Sequence, residues 1–326
     1  MPKKKMPERP PFIEQLKAKW DEGKFVCVGL DADYEKIPQH IVAKSRETLY
    51  SREQIEVFSR VTFLKEIVNA TGDLVSAFKP NSAFFEDSPE GEEALAEIIE
   101  HIHLRFPGVP VIGDVKRADI GDSNRGYAKM AFERYEFDAV TTNPYFGHDT
   151  YEPFLKYPGR GLLILCKTTN RDAGMYQDAP VNLPDYQETE KLNGIPLSDE
   201  EYELARQVAK RDIVLPLYYL VALRTATLAK ENPNIGLVVG ATHPEAFAPV
   251  RKLAPDLPFL IPGIGKQGGD LEKTLKYAPD SKGQGVIINS GSAIIYASSG
   301  EDFAEAARAA TLKLHNQITE LRAKNG

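Results

Sequence analysis

The sequence predicts an α/β protein folded as a (β/α)8 TIM barrel. Eight short apolar runs recur along the 326 residues, each closed by Gly, Pro, Asn or a charged residue. Segments with helical periodicity lie between most of them, the alternation expected of a parallel sheet wrapped by helices. No Gly-x-Gly-x-x-Gly follows the first run, which removes the main support for a doubly wound open sheet.

In chain order the runs are Phe25–Asp31, Leu74–Lys79, Val109–Lys116, Ala139–Asn143, Gly161–Thr168, Ile235–Gly240, Leu257–Pro262 and Val286–Asn289. Such runs suit strands buried on both faces. Gln54–Ala70, Glu92–Arg105, Arg125–Tyr135 and Ile213–Glu231 carry the helical period. Phe12–Trp20 reads as a short helix closing the bottom of the barrel. Asp302–Lys324 reads as a long amphipathic helix with Phe303, Ala306, Ala310, Leu314 and Ile318 as its apolar stripe. Asp172–Asp199, rich in Pro, Asn, Asp and Gly, forms an extended loop after strand five. Loops of this length are functional or disordered, so a lid, a dimer contact and a passive insertion all stay open. No repeat or linker divides residues 1–326, which are expected to form one domain with 1–11 as a flexible tail.

Composition narrows the function classes. Hydrophobic residues make up 42% of the chain, enough for a large core, and charged residues an ordinary 27%. The net charge of -7 argues against a general nucleic-acid binder. The basic run Lys3-Lys4-Lys5 reads as a solvated terminus. No apolar segment approaches the length of a membrane span, and no apolar stretch of a signal peptide follows the first charges. Cys27 and Cys166 sit inside strand-like runs without metal-ligand spacing, as buried reduced thiols of a cytoplasmic protein would. His40, His101, His103, His148 and His243 share no ligand pattern, so no metal site is expected.

Barrel active sites form at the C-terminal strand ends. Read there in order, the ends offer Asp31, Lys79, Asp114 and Lys116, with Asp119 just beyond. One strand-end charge is ordinarily solvated or salt-bridged; five on three neighbouring strands are harder to explain that way. Residues two apart on a strand share a face, which puts Asp114 beside Lys116. Neighbouring carboxylates keep a lysine charged, suiting Lys116 to delivering a proton rather than to Schiff-base chemistry. After strand seven, Ile261-Pro262-Gly263-Ile264-Gly265-Lys266-Gln267-Gly268-Gly269-Asp270 is glycine-rich. Backbone N–H groups there can approach an anion, at the usual phosphate site of this fold; a simple flexible turn is the alternative. Thr168-Thr169-Asn170 ends strand five and offers either a heterocycle reader or helix-capping groups.

The segment Asp114-Val115-Lys116-Arg117-Ala118-Asp119-Ile120-Gly121 resembles the D-x-K-x-x-D-I signature of the orotidine 5′-phosphate decarboxylases, in the longer bacterial-type form. Similar blocks cover nearly the whole chain: Lys24–Asp31, Phe78–Asn81 with Ala83–Glu86, Thr142–Tyr145, Gly236–Thr242, Pro262–Asp270 and Ile287–Ala297. The resemblance implies a homodimer with shared active sites that converts orotidine 5′-phosphate to UMP without metal or organic cofactor. It implies Lys116 as proton donor to C6, with Asp114, Asp119 and Lys79 completing the catalytic set. Asp31, Asn81, Ile120, Ser123, Thr169, Pro262, Gly265, Gln267, Gly291 and Ser292 would bind substrate, with Asp119, Ile120 and Ser123 reaching the neighbouring subunit's site.

One position departs from the family pattern. A phosphate-clamping arginine is expected where Asn289-Ser290-Gly291-Ser292-Ala293-Ile294 places Ser292, and a hydroxyl cannot replace a guanidinium fork. Lys266 or Arg171 could supply the missing cation. Alternatives are a weakened or silent UMP-binding paralogue and a metal-dependent sugar-phosphate decarboxylase or aldolase on the same scaffold.

Overall fold

A computed structural model describes residues 9–182, 197–209 and 214–325 of the protein. Ten strands are present among them: β1 (Val26–Gly29), β2 (Ala77–Lys79), β3 (Ile112–Arg117), β4 (Ala139–Thr142), β5 (Gly161–Lys167), β6 (Pro180–Asn182), β7 (Val214–Pro216), β8 (Ile235–Val239), β9 (Phe259–Ile261) and β10 (Val286–Ser290). Eight form one parallel sheet in the order β2-β1-β10-β9-β8-β5-β4-β3. Bridges Phe78–Val111 and Asn81–Asp114 join β2 to β3 and bring the ring round on itself. The eight expected runs are these eight strands, and the architecture is the (β/α)8 barrel. β1, β2, β4, β8, β9 and β10 are buried at every residue, because helices cover the outside and side chains fill the inside.

The helix Phe12–Asp21 seals the bottom, as expected. Phe12 N donates to Gly159 O at 2.8 Å, and Trp20 Nε1 donates to Val286 O at 2.9 Å. Ile13 N donates to the Asn234 side chain at 3.0 Å. All three acceptors sit at the lower ends of barrel strands. Arg9, assigned to the expected tail, is instead fixed: its guanidinium grips both carboxylate oxygens of buried Asp138 at 2.7 and 3.1 Å. Residues 1–8 lie outside the described residues.

Helix boundaries follow their caps. Ser51 Oγ accepts from Gln54 N and starts the helix Arg52–Thr71; Ser88 Oγ accepts from Gly91 N and starts Pro89–Arg105. The segment expected as Ile213–Glu231 divides into β7 and the helix Leu217–Ala229. Pro216 has no N–H and disfavours helix before it, so the chain stays extended there; Ile213 is outside the described residues. Arg125–Tyr135 is the end of the helix Gly121–Lys129 followed by a π turn, Met130–Arg134. In the last helix, Phe303–Asn325, Ala307 and Thr311 are fully buried in place of Ala306 and Ala310 as the centre of the stripe. Thr311 tolerates burial because its hydroxyl donates to Ala307 O at 2.8 Å.

The expected long loop 172–199 is partly structured. It contains a short helix, Gly174–Gln177, and β6, which pairs antiparallel with β7. Ser198 and Glu201 then form a capping box for the helix Asp199–Val208. Residues 183–196 lie outside the described residues. No helix among the described residues is long and apolar enough to cross a membrane.

Candidate active site

A cavity of about 590 Å³ opens at the C-terminal ends of the barrel strands. On one wall, Asp114 of β3 is the hub. Its Oδ2 accepts from Lys79 Nζ at 2.7 Å and its Oδ1 from Lys116 Nζ at 2.6 Å. Thr141 Oγ1 of β4 also donates to Oδ1, at 3.0 Å. Asp31 joins from the β1 end, its Oδ1 accepting from Asn81 N at 3.2 Å.

Burial sets the electrostatics. Lys79 is 3% exposed. Desolvation alone would lower its pKa, but Asp114 and Asp31 outweigh that and hold it above the ordinary lysine value. Desolvation would likewise raise the Asp114 carboxyl, but Lys79 and Lys116 overcome it and hold the group well below the usual carboxylate range. Asp114 is thus an anion clamped between two ammonium groups. By contrast, burial pushes the Cys27 thiol up to about 12, and Cys27 and Cys166 are both buried and unpaired in disulfides. Neither suits nucleophilic chemistry.

Lys116 sits in an irregular backbone. Its φ is +48°, rare for a residue with a side chain, and the β3–β4 register shifts between Gly113 and Arg117. Lys116 N is held by Thr141 Oγ1 at 3.0 Å. A bulge of this kind re-aims a side chain. The simple alternation of a flat strand therefore reaches the right neighbour, Asp114, by way of a distorted strand. Arg117, next along, turns away to bind both oxygens of Glu86 at 2.7 Å.

The opposite wall is the turn after β9. Gly263 has φ +104° and Gly265 φ +106°, conformations that favour glycine. A Cβ built on Gly263 would lie 3.1 Å from Thr169 Cγ2 and 3.2 Å from Gln267 Oε1. The glycine thus keeps those two side chains close together. Gly291 comes equally near β1: a Cβ on Gly29 would lie 3.0 Å from Gly291 Cα.

Of the residues singled out from sequence, Asp31, Lys79, Asn81, Asp114, Lys116, Thr169, Pro262, Gln267, Gly291 and Ser292 border this cavity, and so does Lys266. Gly265 does not line it but shapes the turn. Asp119, Ile120 and Ser123 lie off it, with Ile120 67% exposed. Arg171 is exposed and is not part of the wall. Sequence reasoning missed Asp33, Lys36, Thr141, Asn289 and Tyr296, all on the wall. Tyr296 Oη accepts from Asp33 N at 2.6 Å and donates to Asp31 O at 3.3 Å, and Lys36 pairs with Asp33. The Asp33-x-x-Lys36 spacing was a local signal that could have flagged that pair. Asn289 Oδ1 is buried without a hydrogen-bond partner, which leaves an acceptor at the cavity wall. Among the described residues, no three His, Cys, Asp or Glu side chains group as metal ligands.

The family model described as "Orotidine 5'-phosphate decarboxylase / HUMPS family" matches residues 24–310. The chain is 39% identical to the orotidine 5′-phosphate decarboxylase of Ralstonia pickettii over 312 residues, covering 95% of this chain and 99% of that one. It is 41% identical to the enzyme of that name from Cupriavidus metallidurans, with 95% and 98% covered. Among solved structures it resembles Leishmania donovani OMP decarboxylase, at TM-score 0.69 and 30% identity, covering 96% of this chain and 98% of that chain. It also matches Leishmania donovani UMP synthase at TM-score 0.72 and 31% identity, where 96% of this chain spans 57% of the longer one.

Proposed function

The chain belongs to the orotidine 5′-phosphate decarboxylase family, and from that premise we propose that it converts orotidine 5′-phosphate to UMP as a cofactor-free carbon–carbon lyase, with Lys116 as the proton donor. The observation that carries this reading is the Lys79–Asp114–Lys116 cluster at the cavity wall. In the proposed reaction the bond from pyrimidine C6 to the carboxylate carbon breaks, and its electron pair stays on C6. Lys116 Nζ gives C6 a proton as carbon dioxide departs, and the neutral amine then regains a proton from solvent. Asp114, kept ionised by its lysines, faces the substrate carboxylate and disfavours it before reaction. The charge on that side of the cavity is already oriented, so little reorganisation is needed as C6 becomes anionic.

The remaining residues bind. Asp31 and Lys79 take the ribose hydroxyls, with Asn81 alongside. Thr169 reads the pyrimidine edge. Pro262, Gly265, Gln267, Gly291 and Ser292 form the phosphate end, where binding energy remote from C6 helps stabilise the transition state.

The active sites are shared in a homodimer. Asp119, Ile120 and Ser123 stand at the β3 end, off their own cavity, where a second copy can receive them. Support comes from a run of exposed apolar side chains at the ends of three neighbouring strands: Ile120 after β3, Tyr145 and Phe146 after β4, Met175 and Tyr176 after β5. Apolar groups gathered this way mark an interaction face.

A spectrophotometric assay with orotidine 5′-phosphate, with and without EDTA, tests the reading. Turnover indifferent to EDTA is expected. Absence of turnover by folded protein that still binds UMP would leave a silent binding protein, and loss with EDTA would favour metal-assisted chemistry.

A further inference from the structure

Three carboxylates and four lysines border the cavity. Lys79 and Lys116 share Asp114, and Lys36 is bound to Asp33. Lys266 has no hydrogen bond, ion pair or ring contact among the described residues. Without a protein partner, exposed Lys266 is the surplus cation of this cavity wall, carried by the turn after β9, which stands across the strand order from β3 and Asp114.

Its backbone is well placed. Lys266 lies within a turn held by Gly268 N donating to Gly265 O and Gly269 N donating to Gly263 O, each at 3.0 Å. Gly265, just before it, abuts the β10 end: a Cβ there would lie 3.0 Å from Ala293 Cβ and 3.4 Å from Ser290 Oγ. The turn that carries Lys266 is therefore packed against the segment that carries Ser292. Both residues border the cavity, and Arg171, the other cation within reach along the sequence, does not.

We propose that Lys266 is the cation that grips the substrate's 5′-phosphate, on the wall where Ser292 supplies only a hydroxyl. The proposal rests on the nucleotide-binding part of the preceding reading. A flexible four-carbon stem makes lysine a point-charge partner rather than a bidentate fork, so the grip depends on charge more than on geometry. The site then discriminates phosphorylated from unphosphorylated ligands through a side chain on the β9 turn rather than after β10.

The test is calorimetric titration of UMP and of uridine into the wild-type protein, Lys266→Ala, Arg171→Ala and the double variant Lys266→Ala/Ser292→Arg, with turnover of the wild type measured alongside. Lys266→Ala is expected to weaken UMP by roughly 10–100-fold, the scale of one charge-assisted contact, while uridine moves far less. Ser292→Arg in that background should recover much of the preference for UMP, and Arg171→Ala should retain it. An undiminished preference in Lys266→Ala, equal losses for both ligands, or a wild type that does not distinguish UMP from uridine would overturn the proposal. Turnover separates the two readings. A wild type that is inactive yet shows a Lys266-dependent preference for UMP keeps the phosphate grip and removes the decarboxylase. A wild type that is active, with Lys266 immaterial to the preference, does the reverse.

Discussion

Lys116 Nζ stands 2.6 Å from Asp114 Oδ1 while the backbone of the same lysine is held at φ +48°. A left-handed residue with a side chain costs about 1–3 kcal/mol, and Thr141 ties both ends of the arrangement, accepting from Lys116 N and donating to Asp114. The β3–β4 bulge is thus the local feature that brings the lysine head over its carboxylate. Local strain and charge clustering coincide at one point of the barrel.

Lys116→Ala is expected to reduce turnover of orotidine 5′-phosphate by at least roughly 10²–10⁴-fold, the usual contribution of a positioned proton donor. The side chain is half exposed, so the fold should persist, as circular dichroism and thermal melting can check. Substantial activity in the folded variant would remove Lys116 from the donor role.

Asp138 anchors the bottom of the barrel. It is 1% exposed and bound by Arg9, by His103 Nε2 at 3.1 Å and by Val111 N at 2.8 Å. Burial would raise its pKa, but His103 and Arg9 outweigh it, and the folded-state value lies well below the ordinary one. Its contribution is then fully present above the unfolded-state pKa of about 3.9 and is lost as pH falls below it toward the folded value. Asp138→Asn should cost about 1.5–3 kcal/mol at pH 7, the scale of a charge-assisted contact, by removing the carboxylate shared by half-buried Arg9 and buried His103, and should flatten the acid limb of the stability curve. Denaturant melts from neutral to acid pH measure both. An unchanged midpoint at pH 7 would mean that the network contributes nothing.

The barrel was legible because strands buried on both faces read as bare apolar runs, and the charged cluster because its members end three such runs. The hairpin of β6 and β7 was not, since its three-residue strands carry no period and Pro216 falls inside a helical-looking segment. Tyr296 and Asp33 meet across 263 positions of sequence, a contact that no local pattern records. The positive φ of Lys116 was equally hidden, because a lysine, unlike a glycine, does not advertise that conformation. Thr311 concealed the stripe of the last helix for a different reason: its hydroxyl is satisfied within its own helix.

Mixing Lys116→Ala and Asp119→Ala protomers should restore part of the activity that each lacks alone, if Asp119 acts in the neighbouring subunit's site. Heterodimers regain one site in which both groups are native. Heterodimers demonstrated by mass, but as inactive as their parents, would refute shared sites.

Gly263→Ala should weaken both UMP and uridine, UMP the more, whereas a change at Lys266 should leave uridine largely unaffected. Its φ of +104° is unfavourable for alanine, and the new Cβ would press on Thr169 Cγ2 at 3.1 Å and Gln267 Oε1 at 3.2 Å. Backbone strain alone costs about 1–3 kcal/mol, so crowding needs a control. Gly268 provides it: its φ is +76°, and a Cβ there meets nothing within 4 Å. Gly268→Ala should therefore lower the melting temperature while largely keeping ligand affinity. Gly263→Ala should lose both, because the side chains it displaces are those assigned to the base and to the phosphate. Equal affinity losses in the two variants would point to loop strain, and would leave the pairing of Thr169 with Gln267 across Gly263 without a role in binding.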